Sequence, residues 1–131
     1  MKIYFYWIII LSCISIQAQN KKEIECEKFH TGKFKLIVKD FDTTFLIERD
    51  AKYQIEKNLK TGEITKGKIA WINDCTYTIH YLESDDEIVK NTDHTNDLKI
   101  EIIESKNNLY KFRATKKGVD LVYIDEIEKI E

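Results

Sequence analysis

Gly67-Lys68-Ile69-Ala70-Trp71-Ile72-Asn73-Asp74-Cys75-Thr76-Tyr77-Thr78-Ile79-His80-Tyr81-Leu82 is the stretch whose reading decides the fold. It reads as a β-hairpin. Ile69 and Trp71 share one face on the way in, and Cys75, Tyr77, Ile79 and Tyr81 alternate with Thr76, Thr78 and His80 on the way out. A period of two marks a half-buried strand, because successive side chains point to opposite faces. Asn73-Asp74 predicts the turn, since short amide and carboxylate side chains tolerate left-handed backbone and bond their own chain. Gly67 inside the first arm predicts a bulge or bend.

Upstream, Phe34, Leu36 and Val38 alternate with lysines over a first strand, Lys33 to Lys39. Asp40-Phe41-Asp42 turns the chain into a second strand, Thr43 to Arg49, with Phe45 and Ile47 on one face. For the following hairpin, a turn at Asp50-Ala51 sets Ile47 opposite Gln54. A turn at Asp50-Ala51-Lys52 sets Ile47 opposite Ile55 and Arg49 opposite Tyr53. Register follows the apolar face, so the second is expected, with Arg49 at the sheet's rim. Downstream, residues 83–97 show no clear period and read as a surface loop, with Asp85 to Lys90 as a candidate helical turn. Leu98, Ile100 and Ile102, then Tyr110, Phe112 and Ala114, mark two further strands joined at Lys106-Asn107-Asn108. After Lys116-Lys117-Gly118 a last strand, Val119 to Ile130, is expected to break near Asp125-Glu126.

The reading is all-β: one antiparallel meander of about eight strands. Its free edges are a liability that closure removes. A small lipocalin-like barrel is therefore expected, with a β-sandwich as the alternative. Eight strands enclose just enough space for packed side chains or one small ligand.

The 131 residues suffice for one domain. Met1-Lys2 precedes an apolar run of about 14 residues, Ile3 to Ile16, too short to span a bilayer and of the right length for a signal-peptide core. Cleavage after Ala18 would leave a polar leader, residues 19–25, and a single β domain, residues 26–131. Ile10-Leu11-Ser12-Cys13 offers the alternative of a lipoprotein anchored through Cys13, the one route by which the reading reaches a membrane. The whole chain has 21 basic and 23 acidic residues. No basic stripe for nucleic acid is present. Processing would leave Cys26 and Cys75, an even pair that reads as one disulfide in an oxidising compartment. The expected localisation is periplasmic or secreted.

Motifs for chemistry are sparse. His30, His80 and His94 form no HxH or HExxH, and no CxxC occurs, so no metal or other cofactor is expected. Cys75 and His80 fall on opposite faces of one strand, about 16 Å apart, which separates them as a catalytic pair. No G-x-S-x-G or phosphate loop is present. Arg49 is the candidate for a carboxylate head group, and Trp71, Tyr77 and Tyr81 are candidates for lining a ligand pocket.

Cys26, Phe29, Gly32 and Phe34 form a Cys-x-x-Phe-x-x-Gly-x-Phe opening; Arg49, Gln54 and Glu56 an Arg-x-x-x-x-Gln-x-Glu middle; Trp71, Asn73, Asp74, Cys75 and Tyr77 a Trp-x-Asn-Asp-Cys-x-Tyr hairpin. Over residues 26–82 the chain resembles a family of small exported Bacteroidetes-type proteins carrying these three motifs. The resemblance implies no established activity. Some members bear the label DNA topoisomerase IV, which this acidic, short chain without a phosphate loop does not support as a function. The expectation is a non-enzymatic extracytoplasmic β domain, a binding or envelope-associated module. The alternatives are a barrel carrier for an apolar or carboxylate ligand and a hydrolase without a recognisable motif. Its partner would be a small apolar ligand or an envelope protein.

Overall fold

The computed structural model describes residues 24–131. The export signal, the lipidation alternative at Cys13 and most of the polar leader lie outside the described residues. Eight antiparallel strands follow one another around a closed barrel in sequence order. They are β1 (Gly32–Val38), β2 (Thr43–Arg49), β3 (Tyr53–Asn58), β4 (Ile64–Asn73), β5 (Thr76–Ser84), β6 (Leu98–Lys106), β7 (Leu109–Lys116) and β8 (Val119–Lys129). β1 pairs β8 to close the ring. The meander and its closure are as expected from the alternation, and the barrel stands in place of the sandwich.

One end is plugged. A 3-10 turn, Glu27–Phe29, lies across it and inserts the fully buried Phe29. Cys26 just before that turn is bonded to Cys75 in the β4–β5 turn, a separation of 49 residues. Phe29 belongs to one buried core with Phe34, Ile47, Tyr77, Tyr110 and Ile127, its ring 4.8 Å from that of Tyr110. Gly67 sits at the expected bulge, where the β4–β5 register shifts between Lys66 and Gly67. A Cβ there would lie 2.6 Å from Ile79 Cγ2, so only glycine allows the approach.

Five local expectations are corrected. The β4–β5 turn is Asp74-Cys75, one residue later than Asn73-Asp74. Asn73 works through its side chain, its Oδ1 accepting from the Cys75 N–H at 3.0 Å. β1 ends at Val38, because Lys39–Phe41 closes a 3-10 turn with Asp42 left-handed at φ 46°. β8 runs unbroken through Asp125 and Glu126, which pair with Phe112 and Lys111. The 83–97 segment contains one helical turn, α1 (Glu87–Lys90), capped by Asp86 Oδ1 accepting from the N–H groups of Ile88 and Val89.

The fifth correction matters most. In the β2–β3 hairpin Arg49 lies opposite Gln54, Ile47 opposite Glu56 and Glu48 opposite Ile55. Neither expected register occurs. Tyr53 and Ile55 point outward and are exposed, while Gln54 is buried inside with Arg49. The apolar-face rule fails here because the interior face of this hairpin is polar. Asp50 sets the turn, its Oδ1 accepting from the N–H groups of Lys52 and Tyr53 at 2.8 Å each. Those two bonds hold its carboxyl below the usual carboxylate range.

Candidate functional site

Arg49 is inward because it shares the parity of Phe45 and Ile47 along β2. It is 4% exposed, an interior residue and not a rim one. Its guanidinium forks into the plug. Nη1 donates to the Phe29 carbonyl at 2.7 Å, which ties the 3-10 turn to the barrel wall. Nη2 donates to the hydroxyls of Tyr77 and Tyr110 at 3.0 and 3.1 Å. Nε donates to Gln54 Oε1 at 2.8 Å. The Phe34 and Tyr77 rings flank the cation at 4.5 and 4.7 Å. A guanidinium carries five N–H groups, and the protein itself takes most of them. Arg49 therefore acts as a keystone of the plugged end.

From Arg49 a polar chain climbs the barrel interior. Gln54 Nε2 donates to Glu56 Oε1 at 3.3 Å. Glu56 is also hydrogen-bonded by Tyr81. Burial pushes the Glu56 carboxyl above the usual range, although the bonds from Gln54 and Tyr81 and the Arg49 charge oppose it. Burial likewise holds the Tyr77 and Tyr81 hydroxyls well above the ordinary tyrosine value, so both remain neutral donors.

The four residues read from the sequence thus divide. Arg49, Trp71 and Tyr77 meet at the plugged end, where the Trp71 and Tyr77 rings lie 4.5 Å apart. Trp71 is half-buried, with the His30 ring stacked on it at 3.6 Å. Its indole N–H is enclosed and meets no acceptor among the described residues. Tyr81 stands apart, farther along β5. There the β5–β6 ladder stops at Ile79 opposite Leu98, and the remainder of β5 runs on without β6.

The 85–97 segment covers that gap. Its ends are held: the Ile64 N–H donates to Asp85 Oδ2 at 3.1 Å, Lys116 Nζ to the Asp93 carbonyl at 2.6 Å and Asn96 Nδ2 to the Lys117 carbonyl at 3.3 Å. Beneath it lies a pocket of about 210 Å³ lined by Ile79, His80, Tyr81, Val89, Thr92, His94, Asn96, Leu98 and Lys116. His94 meets Tyr81 edge-on at 6.3 Å between ring centres. The pocket is thus mostly apolar, with two hydroxyls: Thr92 Oγ1 donates to the Ile88 carbonyl at 2.6 Å, and Tyr81 is connected through Glu56 and Gln54 to Arg49. His80 also borders the pocket, and its Nδ1 is hydrogen-bonded with Asp97 Oδ1 at 2.7 Å.

Sequence reasoning missed Gln54, Glu56, Val89 and His94. The spacing Arg-x-x-x-x-Gln-x-Glu was the available signal for the first two, because all three residues do meet inside the barrel. The loop residues carry no comparable periodic signal. Among the described residues no three His, Cys, Asp or Glu side chains converge to hold a metal.

Fold and site together define a class: a small antiparallel β-barrel, plugged at one end and holding a loop-covered pocket near the other. No protein-family model, curated protein or solved structure matches the chain.

Proposed function

We propose that this chain is a non-enzymatic extracytoplasmic binding module of the small exported family it resembles, taking a small apolar ligand beneath the 85–97 segment. The pocket walled by Ile79, Leu98 and Val89 carries the reading. Ligand pockets pair apolar walls with few polar groups that orient the guest, and Tyr81 backed by Glu56 supplies one. The Cys26–Cys75 bond is compatible with an oxidising compartment. Because the Arg49 donors are taken by protein acceptors, an apolar guest at Tyr81 is favoured over a carboxylate at Arg49. A volume of about 210 Å³ limits the guest to something the size of one or two rings or a short alkyl chain.

Titration with N-phenyl-1-naphthylamine tests this. Saturable fluorescence enhancement at one site per chain is expected, lost in Val89→Lys while the denaturation midpoint stays within about 0.5 kcal/mol, as for surface substitutions generally. Absence of saturable binding, or binding indifferent to Val89→Lys, would overturn the pocket reading and leave envelope association as the function.

A further inference from the structure

No run of the sequence is basic, yet the barrel assembles a basic wall. Along β1–β4 the residues that alternate with the buried Phe34, Ile47, Gln54 and Ile69 point outward. They include five lysines, Lys33, Lys35, Lys57, Lys66 and Lys68, against one carboxylate, Glu48. The whole chain has 21 basic and 23 acidic residues, so this excess is local. The outer side of β6–β8 is built differently. There opposite charges face one another, Glu101 against Arg113 and Lys111 against Glu104 and Glu126.

Two lysines of the β1–β4 wall have acids beside them. Lys33 lies opposite Glu48 and pairs with Glu131 at 3.2 Å, and Lys66 lies opposite Glu83. Lys35, Lys57 and Lys68 have no carboxylate partner among the described residues. Their cross-strand neighbours are apolar instead. Leu46 lies between Lys35 and Lys57, Ile64 lies opposite Lys57, and Tyr53 lies opposite Lys68. Ile55 lies opposite Lys66 in the same way. Tyr53, Ile55 and Ile64 are exposed. The result is a checkerboard of cations and apolar side chains over four strands, about 14 Å across at the usual strand spacing.

We propose that this wall is a membrane-contact face, which takes a bilayer surface of anionic headgroups. Its charge selects an anionic partner, and the apolar side chains between the charges select an interface over a dissolved ion. A lysine lays its stem along apolar neighbours and lifts its ammonium clear of them. Against a bilayer, Leu46, Ile55 and Ile64 meet the acyl boundary while the ammonium groups reach the phosphates. The same pattern disfavours other anionic partners. The cores of protein interfaces are depleted of lysine, and here lysines hold the centre. Single-stranded nucleic acid stacks its bases on aromatic faces. On this wall the aromatic residue is Tyr53, and Lys66 Nζ already sits over its ring at 4.5 Å.

Co-sedimentation of the whole purified protein with vesicles tests the proposal. One set is phosphatidylcholine alone, and the other is an equal mixture with phosphatidylglycerol. The readout is the preference for anionic over neutral vesicles, so any anchoring through the shared N-terminus cancels. The parent should prefer anionic vesicles, and the preference should vanish in about 1 M salt, where the Debye length is about 3 Å. Lys57→Glu with Lys68→Glu should cut it roughly 30-fold or more, since each lysine near such a surface is worth about fivefold. Arg113→Glu with Lys117→Glu makes the same change in net charge away from the wall. It should alter the preference by less than about threefold, because charges beyond a Debye length are screened. Ile55→Ser with Ile64→Ser leaves the charge alone and should weaken binding to anionic vesicles. Melting temperatures near the parent's show that the variants fold; if the charge reversal does not, Lys57→Gln with Lys68→Gln gives the same reading. A parent without preference, or one whose preference falls equally in both charge-reversed pairs, would overturn the proposal. So would a parent that binds poly-glutamate as it binds vesicles and is indifferent to Ile55→Ser with Ile64→Ser, which would assign the wall to an acidic protein. None of these outcomes depends on the pocket under the 85–97 segment.

Discussion

The two ends of the barrel are built on opposite terms. At the plugged end the chain is joined to itself by every available means. Cys26 is bonded to Cys75, Arg49 binds the Phe29 carbonyl, and the Lys33 N–H donates to the Glu131 carbonyl at 2.8 Å while the Lys33 carbonyl accepts from Ile130. At the other end two ladders stop short, β5–β6 at Ile79–Leu98 and β1–β8 at Leu36–Ile127. One gap is covered by the 85–97 segment and the other is left as an edge. The plugged end is held by a covalent bond and by hydrogen bonds between distant segments. The other is then free to carry pockets and edges that would weaken a uniformly closed ring.

The contrast predicts that stability resides at the plug. Arg49→Met keeps the length of the side chain and removes the donors. It strands the Phe29 carbonyl and Gln54 Oε1 in the interior and leaves the Tyr77 and Tyr110 hydroxyls only each other. Leaving buried polar groups without their charged partner costs roughly 3–5 kcal/mol. The denaturant midpoint measures this. A shift under about 1 kcal/mol would show that the plug is dispensable and would dissolve the contrast. Arg49→Lys keeps the charge without the planar fork and should fall between.

Opening the disulfide should have the next largest effect. For a separation of 49 residues the chain-entropy estimate is ~4 kcal/mol, with ~2–4 typical in practice. The paired Cys26→Ser and Cys75→Ser variant should lower the midpoint accordingly. It should leave N-phenyl-1-naphthylamine binding intact wherever the protein remains folded, because the bond lies at the end away from the pocket. Loss of binding in the folded variant would show that the two ends are coupled.

The strand count, their order and the disulfide were legible because each rests on a local rule: period-two alternation, short turns, and two remaining cysteines. The β2–β3 register was not. The rule applied there assumes that the inner face is apolar, and here Arg49, Gln54 and Glu56 occupy it. A buried guanidinium selects polar neighbours, so the pairing that looks worse by hydrophobicity is the one that satisfies hydrogen bonds. Arg49 at the end of an apolar strand invited a rim placement for the same reason. The 3-10 plug that encloses it comes from Glu27–Phe29, a segment three residues long with no period to read. The pocket was equally hidden, since Val89 and His94 reach it from an aperiodic segment.

The smallest expected effect concerns Glu56, where the polar chain from the plug reaches Tyr81 and the pocket. Its carboxyl is raised by burial in the folded protein. Below the ordinary carboxylate value of about 4.3 it is protonated in both folded and unfolded chains and costs nothing. As pH rises past that value the unfolded chain releases its proton first, and the folded state loses stability until its own raised value is passed. Glu56→Gln removes this titration and keeps a neutral group of the same shape. The variant and the parent should therefore match in acid, and the variant should gain on the parent as pH rises toward neutrality. Asp50 titrates in the opposite sense, its carboxyl lowered by the Lys52 and Tyr53 N–H groups, so the whole-protein profile mixes both. The difference between parent and Glu56→Gln isolates one group. Melting temperatures of the two proteins across the acid-to-neutral range supply it. Parallel curves would place Glu56 in water, cut the link from Arg49 to Tyr81, and leave the plug and the pocket as independent structures on one barrel.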